Sequence, residues 1–125
     1  MRYMLFIKMA EDHPMPPPQA LMDAMDAYMK ESLASGKLLD TAGLYPEAQG
    51  LQLQVRGGQV NVTDGPFSEA KEIVGGFGIF TVDTDEEARA EAHRMVDVHT
   101  EHWPEWEGSV ELRRIAEPDE GPPAA

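Results

Sequence analysis

Apolar and polar positions along the chain mark out eight candidate elements. Tyr3, Leu5, Ile7 and Met9 alternate with Met4, Phe6 and Lys8, and both sets are largely apolar. A strand apolar on both sides predicts a central position with both faces covered. Prolines 16, 17 and 18 close the following loop and suit the approach to a helix. Leu21, Met25, Tyr28, Met29 and Leu33 then recur at helical spacing, which predicts a helix from about Pro18 to Ser35, with Gly36 as its stop. Lys37 to Ala42 reads as a short strand, and a Gly43–Gly50 loop follows. Leu51 to Val55 alternates strictly, as a half-buried strand does. Gly57-Gly58 is a two-residue hairpin turn, and Val60 and Val62 continue the alternation on the return strand. Beyond the break at residues 63–67, Gly75-Gly76 leads into an apolar strand from Phe77 to Val82.

The second helix has the clearest start. Thr84-Asp85-Glu86-Glu87 has the spacing of a capping box, and its three acids complement the helix dipole. Ala88, Ala92, Met95, Val96 and His99 form one face, and Trp103-Pro104 ends the run. A last strand is predicted over Ser109–Ile115. The order of elements is that of a split βαβ, ferredoxin-like α+β domain with an added β-hairpin. Two helices can cover only one face of such a sheet. The other face would expose residues such as Leu5 or Phe6, Phe77 or Phe80, and Val60 or Val62, and a second copy of the chain is the simplest cover. One domain is expected over residues 1–115, and residues 116–125 form an acidic Pro-, Gly- and Ala-rich tail expected to be disordered.

Composition narrows the function classes. The chain has 125 residues and a net charge of −13. That charge disfavours nucleic acid and anionic membrane surfaces as partners. Residues 81–125 hold 13 acids and 4 bases, so most of the excess lies on solvated surface rather than around a site. The chain has no cysteine, which excludes disulfides and thiolate chemistry and fits a cytoplasmic location. The first apolar run is too short for a membrane span. No Gly-rich phosphate loop and no nucleophile elbow occurs.

The densest segment is Asp64-Gly65-Pro66-Phe67-Ser68-Glu69-Ala70-Lys71-Glu72, with Gly75-Gly76-Phe77 after it. With Tyr3-Met4-Leu5 at the start, Glu11 after the first strand, and Gly108 to Arg113 near the end, the chain resembles the DGPF branch of the YCII-related family. The resemblance extends up to Ile115. It implies a dimeric α+β barrel, with the homodimer formed through the uncovered sheet face. It also implies a small-molecule cleft beside the DGPF segment. It implies no particular activity, so whether the protein is an enzyme stays open.

The residues of that segment allow two readings. In the functional one, Asp64 is a general base held rigidly by the Gly65-Pro66 turn, and Phe67 anchors the turn in the core. Lys71, with Arg113 as a second candidate, would hold an anionic group, and Glu69 and Glu72 would flank it. His13, in the loop after the first strand, would be a proton carrier at the cleft entrance. In the plainer reading Asp64 forms the turn and Glu69, Lys71 and Glu72 make a solvated ion-pair cluster. His99 and His102 have the spacing of metal ligands, but a core histidine is the simpler reading of His99, and no metal site and no cofactor are expected. Trp103 and Trp106 suit a pocket wall or a dimer contact equally. The expected function is binding of a small metabolite, with cofactor-independent proton transfer as its enzymatic form. The alternative is a non-catalytic dimeric ligand-binding or regulatory accessory protein.

Overall fold

A computed structural model describes residues 1–10, 12–13, 16–66 and 72–121. Six strands and two helices follow one another as β1 (Arg2–Met9), α1 (Gln19–Ala34), β2 (Leu38–Gly43), β3 (Leu51–Arg56), β4 (Gln59–Asp64), β5 (Ile73–Thr81), α2 (Asp85–His102) and β6 (Gly108–Arg114). β1 is antiparallel to β5 on one side and to β6 on the other, and β2 pairs with β5, giving the order β2-β5-β1-β6. The units β1–α1–β2 and β5–α2–β6 interleave in this sheet, which is the ferredoxin-like α+β arrangement. β3 and β4 pair with each other in a separate two-stranded sheet inserted between β2 and β5.

Both helices pack on one side of the four-stranded sheet. Leu5, Leu38 and Phe80 from the strands meet Tyr28 from α1 and Met95 from α2, with Ile7, Met25, Met29, Ala92, Val110 and Leu112 around them. Tyr3, Val82 and Ala88 form a smaller cluster at the other end of β1. Thr84 caps α2 by accepting the Glu87 N–H at 3.1 Å, as its spacing predicts. Gly36 takes a φ of 77° just after α1, and Gly57 and Gly58 take 57° and 78° in the hairpin turn, conformations open mainly to glycine.

Several expectations change. β5 starts at Ile73 rather than after Gly76, because Ile73 and Val74 pair with Met9 and Lys8 beyond a register shift that skips Gly75. Leu33 is exposed, and Ser32 occupies the buried position one residue earlier on α1. Glu91 lies on the buried stripe of α2 between Ala88 and Met95. β1 is central, and among the described residues only its helix side is covered. Leu5 and Phe80 face the helices. By strand alternation Met4, Phe6, Phe77 and Ile79 face the open side, where Phe6 pairs with Phe77 and Met4 with Ile79. Val60 and Val62 do not belong to this face, since β4 is outside the main sheet. Nor are β3 and β4 half-buried: alternation reveals that one side of a strand is apolar, not that anything covers it. At the C-terminal end, Glu117 pairs with Arg2 at 2.8 Å and a 3-10 turn spans Pro118–Glu120. None of the helices is long and apolar enough to cross a membrane.

Two buried polar groups tie the helices together. The Tyr28 hydroxyl donates to Glu91 at 2.6 Å, and Lys37 Nζ donates to the other carboxylate oxygen at 3.1 Å. The Arg94 guanidinium lies 4.6 Å over the Tyr28 ring and pairs with Glu31. Burial, with the Glu91 bond second, raises the Tyr28 pKa well above the usual phenol range. Tyr28→Phe withdraws a donor from a buried carboxylate. It should cost about 1–3 kcal/mol of unfolding free energy, measured by urea denaturation at neutral pH. His99 Nδ1–H donates to the Met95 carbonyl at 2.8 Å, and burial lowers its pKa below 6.5 against the raising effect of that bond. The folded state therefore favours the neutral ring, while the unfolded chain protonates first on acidification. The stabilising contribution is complete above pH 6.5 and is lost as the pH falls below it. His99→Gln should flatten the acid-side decline of stability, by up to about 1.4 kcal/mol per pH unit, in denaturation curves recorded across that range.

Candidate functional site

The sheet brings four chain segments together at one end. Met9 pairs with both Ile73 and Gly108, and Gly43 pairs with Gly76, so the end of β1 and the starts of β5 and β6 lie side by side beside the end of β2. α2 stops above them. Its last turn closes when the Trp103 N–H donates to the His99 carbonyl at 2.7 Å, and the Trp106 N–H then donates to the Trp103 carbonyl at 2.9 Å. This reversal buries Trp103 almost completely. The Trp106 ring packs so tightly on the start of β6 that a Cβ on Gly108 would lie 2.5 Å from it and 2.3 Å from the Lys8 carbonyl oxygen. Glycine is required there by close approach.

His13 joins the loop after β1 to this turn. Its ring meets Trp103 edge-on with 4.8 Å between centroids. The Glu107 N–H donates to His13 Nε2 at 3.2 Å, which places the ring proton of neutral His13 on Nδ1. Two cavities flank the imidazole. One, of about 1040 Å³, is bordered by Lys8, Asp12, His13, Glu72, Thr100, Glu105, Trp106 and Glu107. The other, of about 340 Å³, is mostly apolar, with Met9, Pro16, Pro17, Leu44, Tyr45, Ile73 and Trp103 in its wall. His13 and Ala10 belong to both linings. Among the described residues the buried indole Nε1 atoms of Trp103 and Trp106 have no hydrogen-bond partner. Trp103 lines the smaller cavity and Trp106 the larger.

The sequence candidates separate in space. His13 and Glu72 come together in the larger cavity, where Glu72 accepts from the Ser109 hydroxyl at 2.7 Å. Arg113 sits on β6 opposite Met4, with its side chain 71% exposed and its guanidinium 3.9 Å from Glu111. Asp64 is exposed at the end of β4 and lines neither of the two cavities. Phe67, Glu69 and Lys71 lie outside the described residues. Glycine at position 65 is required by a close approach rather than by its φ. Gly65 does not adopt the left-handed backbone. Instead its N–H donates to the Gly50 carbonyl at 2.9 Å, and a Cβ there would come within 1.5 Å of the Glu47 carbonyl oxygen. The glycine lets the end of β4 lie directly on the backbone turn that precedes β3.

The sequence reading missed Lys8, Asp12 and Tyr45 as cavity residues and left Trp103 and Trp106 undecided; both tryptophans are pocket wall. The Trp-Pro-x-Trp spacing at the end of a predicted helix was the available signal. The described lining of the larger cavity carries four carboxylates against Lys8 and His13, and Lys8 is itself paired with Glu111 at 3.1 Å. Such a lining favours ligand groups that donate hydrogen bonds or carry positive charge. His99 holds the Met95 carbonyl and stacks at a tilt on Trp106, 4.6 Å between centroids, so it supports the pocket wall from behind. Among the described residues no group of three or more His, Asp and Glu side chains is placed to hold a metal ion.

No curated protein matches the chain. The model of the YCII-related domain matches residues 1–117, which takes in every strand, both helices and the whole of this cleft, and the chain belongs to the YCII-related family.

Proposed function

We propose that the protein binds a small organic molecule in the paired cavities around His13, and that it works as a homodimer. The observation that carries the binding reading is the junction itself. One imidazole with a defined tautomer borders an apolar cavity on one side and an acidic one on the other. A ligand with an apolar body and a polar, hydrogen-donating end suits that division. Glu72 is the last residue of the Asp64–Glu72 run, which supports a link between this cavity and that segment, although Asp64 itself lines neither cavity.

Proton transfer without a cofactor is the chemistry these residues suit. His13 and Glu72 are both side chains of the kind that move protons in catalysis, and both border the same space. They, rather than Asp64, are the pair we assign to it, because Asp64 stands at the end of the hairpin.

The homodimer reading is supported by the open sheet face. Met4, Phe6, Phe77 and Ile79 form two adjacent cross-strand pairs there. A second copy would cover them by the same surface, as a two-fold interface requires.

A thermal-shift screen of small amines, phenols and carboxylic acids tests the binding reading. Amines or phenols should raise the melting temperature and carboxylic acids should not. His13→Ala and Glu72→Gln should each weaken the best binder by about 10- to 100-fold in titration calorimetry, the range expected for loss of a hydrogen bond to a charged or buried group. Binding that survives both substitutions would place the ligand elsewhere.

A further inference from the structure

We infer that the ligand is an arylalkylamine, its flat ring held between Trp103 and Tyr45 in the smaller cavity and its ammonium group in the acidic one, and that Tyr45 is the residue that selects the ring. This rests on the paired-cavity reading and adds to it the chemical class of the ligand.

The smaller cavity is walled largely by rings: Trp103, His13 and Tyr45, with Pro16, Pro17 and Pro46. Trp103 is 1% exposed and forms the floor, where His13 meets it edge-on. Tyr45 borders the same space yet is 83% exposed, so it stands at the mouth. An aromatic ring placed between the two gains from ring contacts beyond the area it buries, a gain that a saturated ring lacks. Size agrees. The cavity of about 340 Å³ is roughly twice the ~150 Å³ that accepts a benzene molecule, which leaves room for one ring and a short chain leading out of it.

Tyr45 is prepared for this contact by its backbone. The Leu44 N–H donates to the Gly75 carbonyl at 2.9 Å and ties the preceding residue to β5. Pro46 follows, which favours extended backbone at Tyr45, and the Pro46 carbonyl accepts from the Gln49 N–H at 3.0 Å. With the chain held on both sides, the ring has only two torsions to order when a ligand arrives, a small entropy cost for a large contact. Because so much of Tyr45 is open to water, a ligand that covers it buries apolar area that the fold itself leaves exposed.

The position of His13 sets where the other end of the ligand goes. The imidazole borders both cavities, so a short chain from the ring leads past it into the acidic space. Asp12, Glu72, Glu105 and Glu107 border that space, and its one lysine, Lys8, is already paired with Glu111. An ammonium group supplies both the charge and the hydrogen-bond donors that such a lining attracts.

The test compares three probes, 2-phenylethylamine, 2-cyclohexylethylamine and 2-phenylethanol, up to about 10 mM. Binding is read by the fluorescence of Trp103 and Trp106, the chain's two tryptophans, both in the cavity walls. Burial of apolar area alone would favour the cyclohexyl compound, so the comparison isolates the flat ring. The phenyl amine should bind about 3- to 10-fold tighter than the cyclohexyl amine, and at least about 5-fold tighter than the alcohol. Tyr45→Leu keeps apolar bulk without a ring and should bring the two amines to equal affinity, whereas Tyr45→Phe should retain the preference. Tyr45 is exposed, so the circular dichroism of both variants should match that of the unmodified protein. Equal or tighter binding of the cyclohexyl amine to the unmodified protein overturns the ring assignment, and a preference that persists in Tyr45→Leu overturns the role of Tyr45. Equal binding of the alcohol overturns the ammonium assignment. Each of those results leaves binding in the cavities standing. If none of the probes binds, or if binding of the phenyl amine survives both His13→Ala and Glu72→Gln, the paired-cavity reading falls and this inference with it.

Discussion

β1 is the constraint on which the remaining structure depends. Its residues are paired along one edge with β5 and along the other with β6. The two strands that flank it come from the second βαβ unit, so neither half of the chain can complete its part of the sheet alone. The same strand divides the apolar residues between two faces. Leu5 and Ile7 join the core under the helices, while Met4 and Phe6 are left on the open side. One short strand thereby builds the core, leaves apolar residues on the open face, and carries its end, at Met9 and Ala10, into the cleft wall.

The cleft is the consequence of how the elements end at that side of the sheet. α2 has to stop before β6 begins, and it does so through the backbone bonds that bury Trp103 and set Trp106 against Gly108. His13, in the loop after β1, is held against the Trp103 ring and by the Glu107 N–H. None of these residues is adjacent in sequence to the DGPF segment, yet Glu72 enters the same space because β5 pairs with β1 from Ile73 onward. The buried Glu91, satisfied by Tyr28 and Lys37, acts elsewhere, joining α1 to α2 and to the start of β2. Its carboxylate lies in the helical layer and takes no part in the cleft.

Much of the architecture was legible because its signals are local. The capping residue Thr84, the stop at Gly36 and the Gly57-Gly58 turn each act within a few residues, and each appears where its chemistry requires. The alternation in β3 and β4 was equally plain, but it could not reveal that these strands leave the main sheet. Glu91 was unreadable for a related reason. Its position on α2 said buried and its charge said exposed, and only the presence of Tyr28 and Lys37 across the helix pair decides between them. Of the site, His13 and Glu72 were named from sequence, whereas Trp103 and Trp106 could be seen as unusual without being placed.

By itself the sequence determined the order of strands and helices, the ferredoxin-like pattern and the family resemblance, because periodicity, caps and turns are properties of neighbouring residues. The tertiary structure decided which apolar residues are covered and which acids meet. Gly65 illustrates the difference. The sequence marks a tight turn there, and the reason for the glycine, a carbonyl of Glu47 where a side chain would begin, comes from a segment brought back against it. The same holds for the separation of Arg113 from Glu72, since strand alternation turns Arg113 onto the open face while the register of β5 carries Glu72 to the cleft. Pairing register and strand order join residues far apart in the chain, and no local pattern encodes which distant residue arrives.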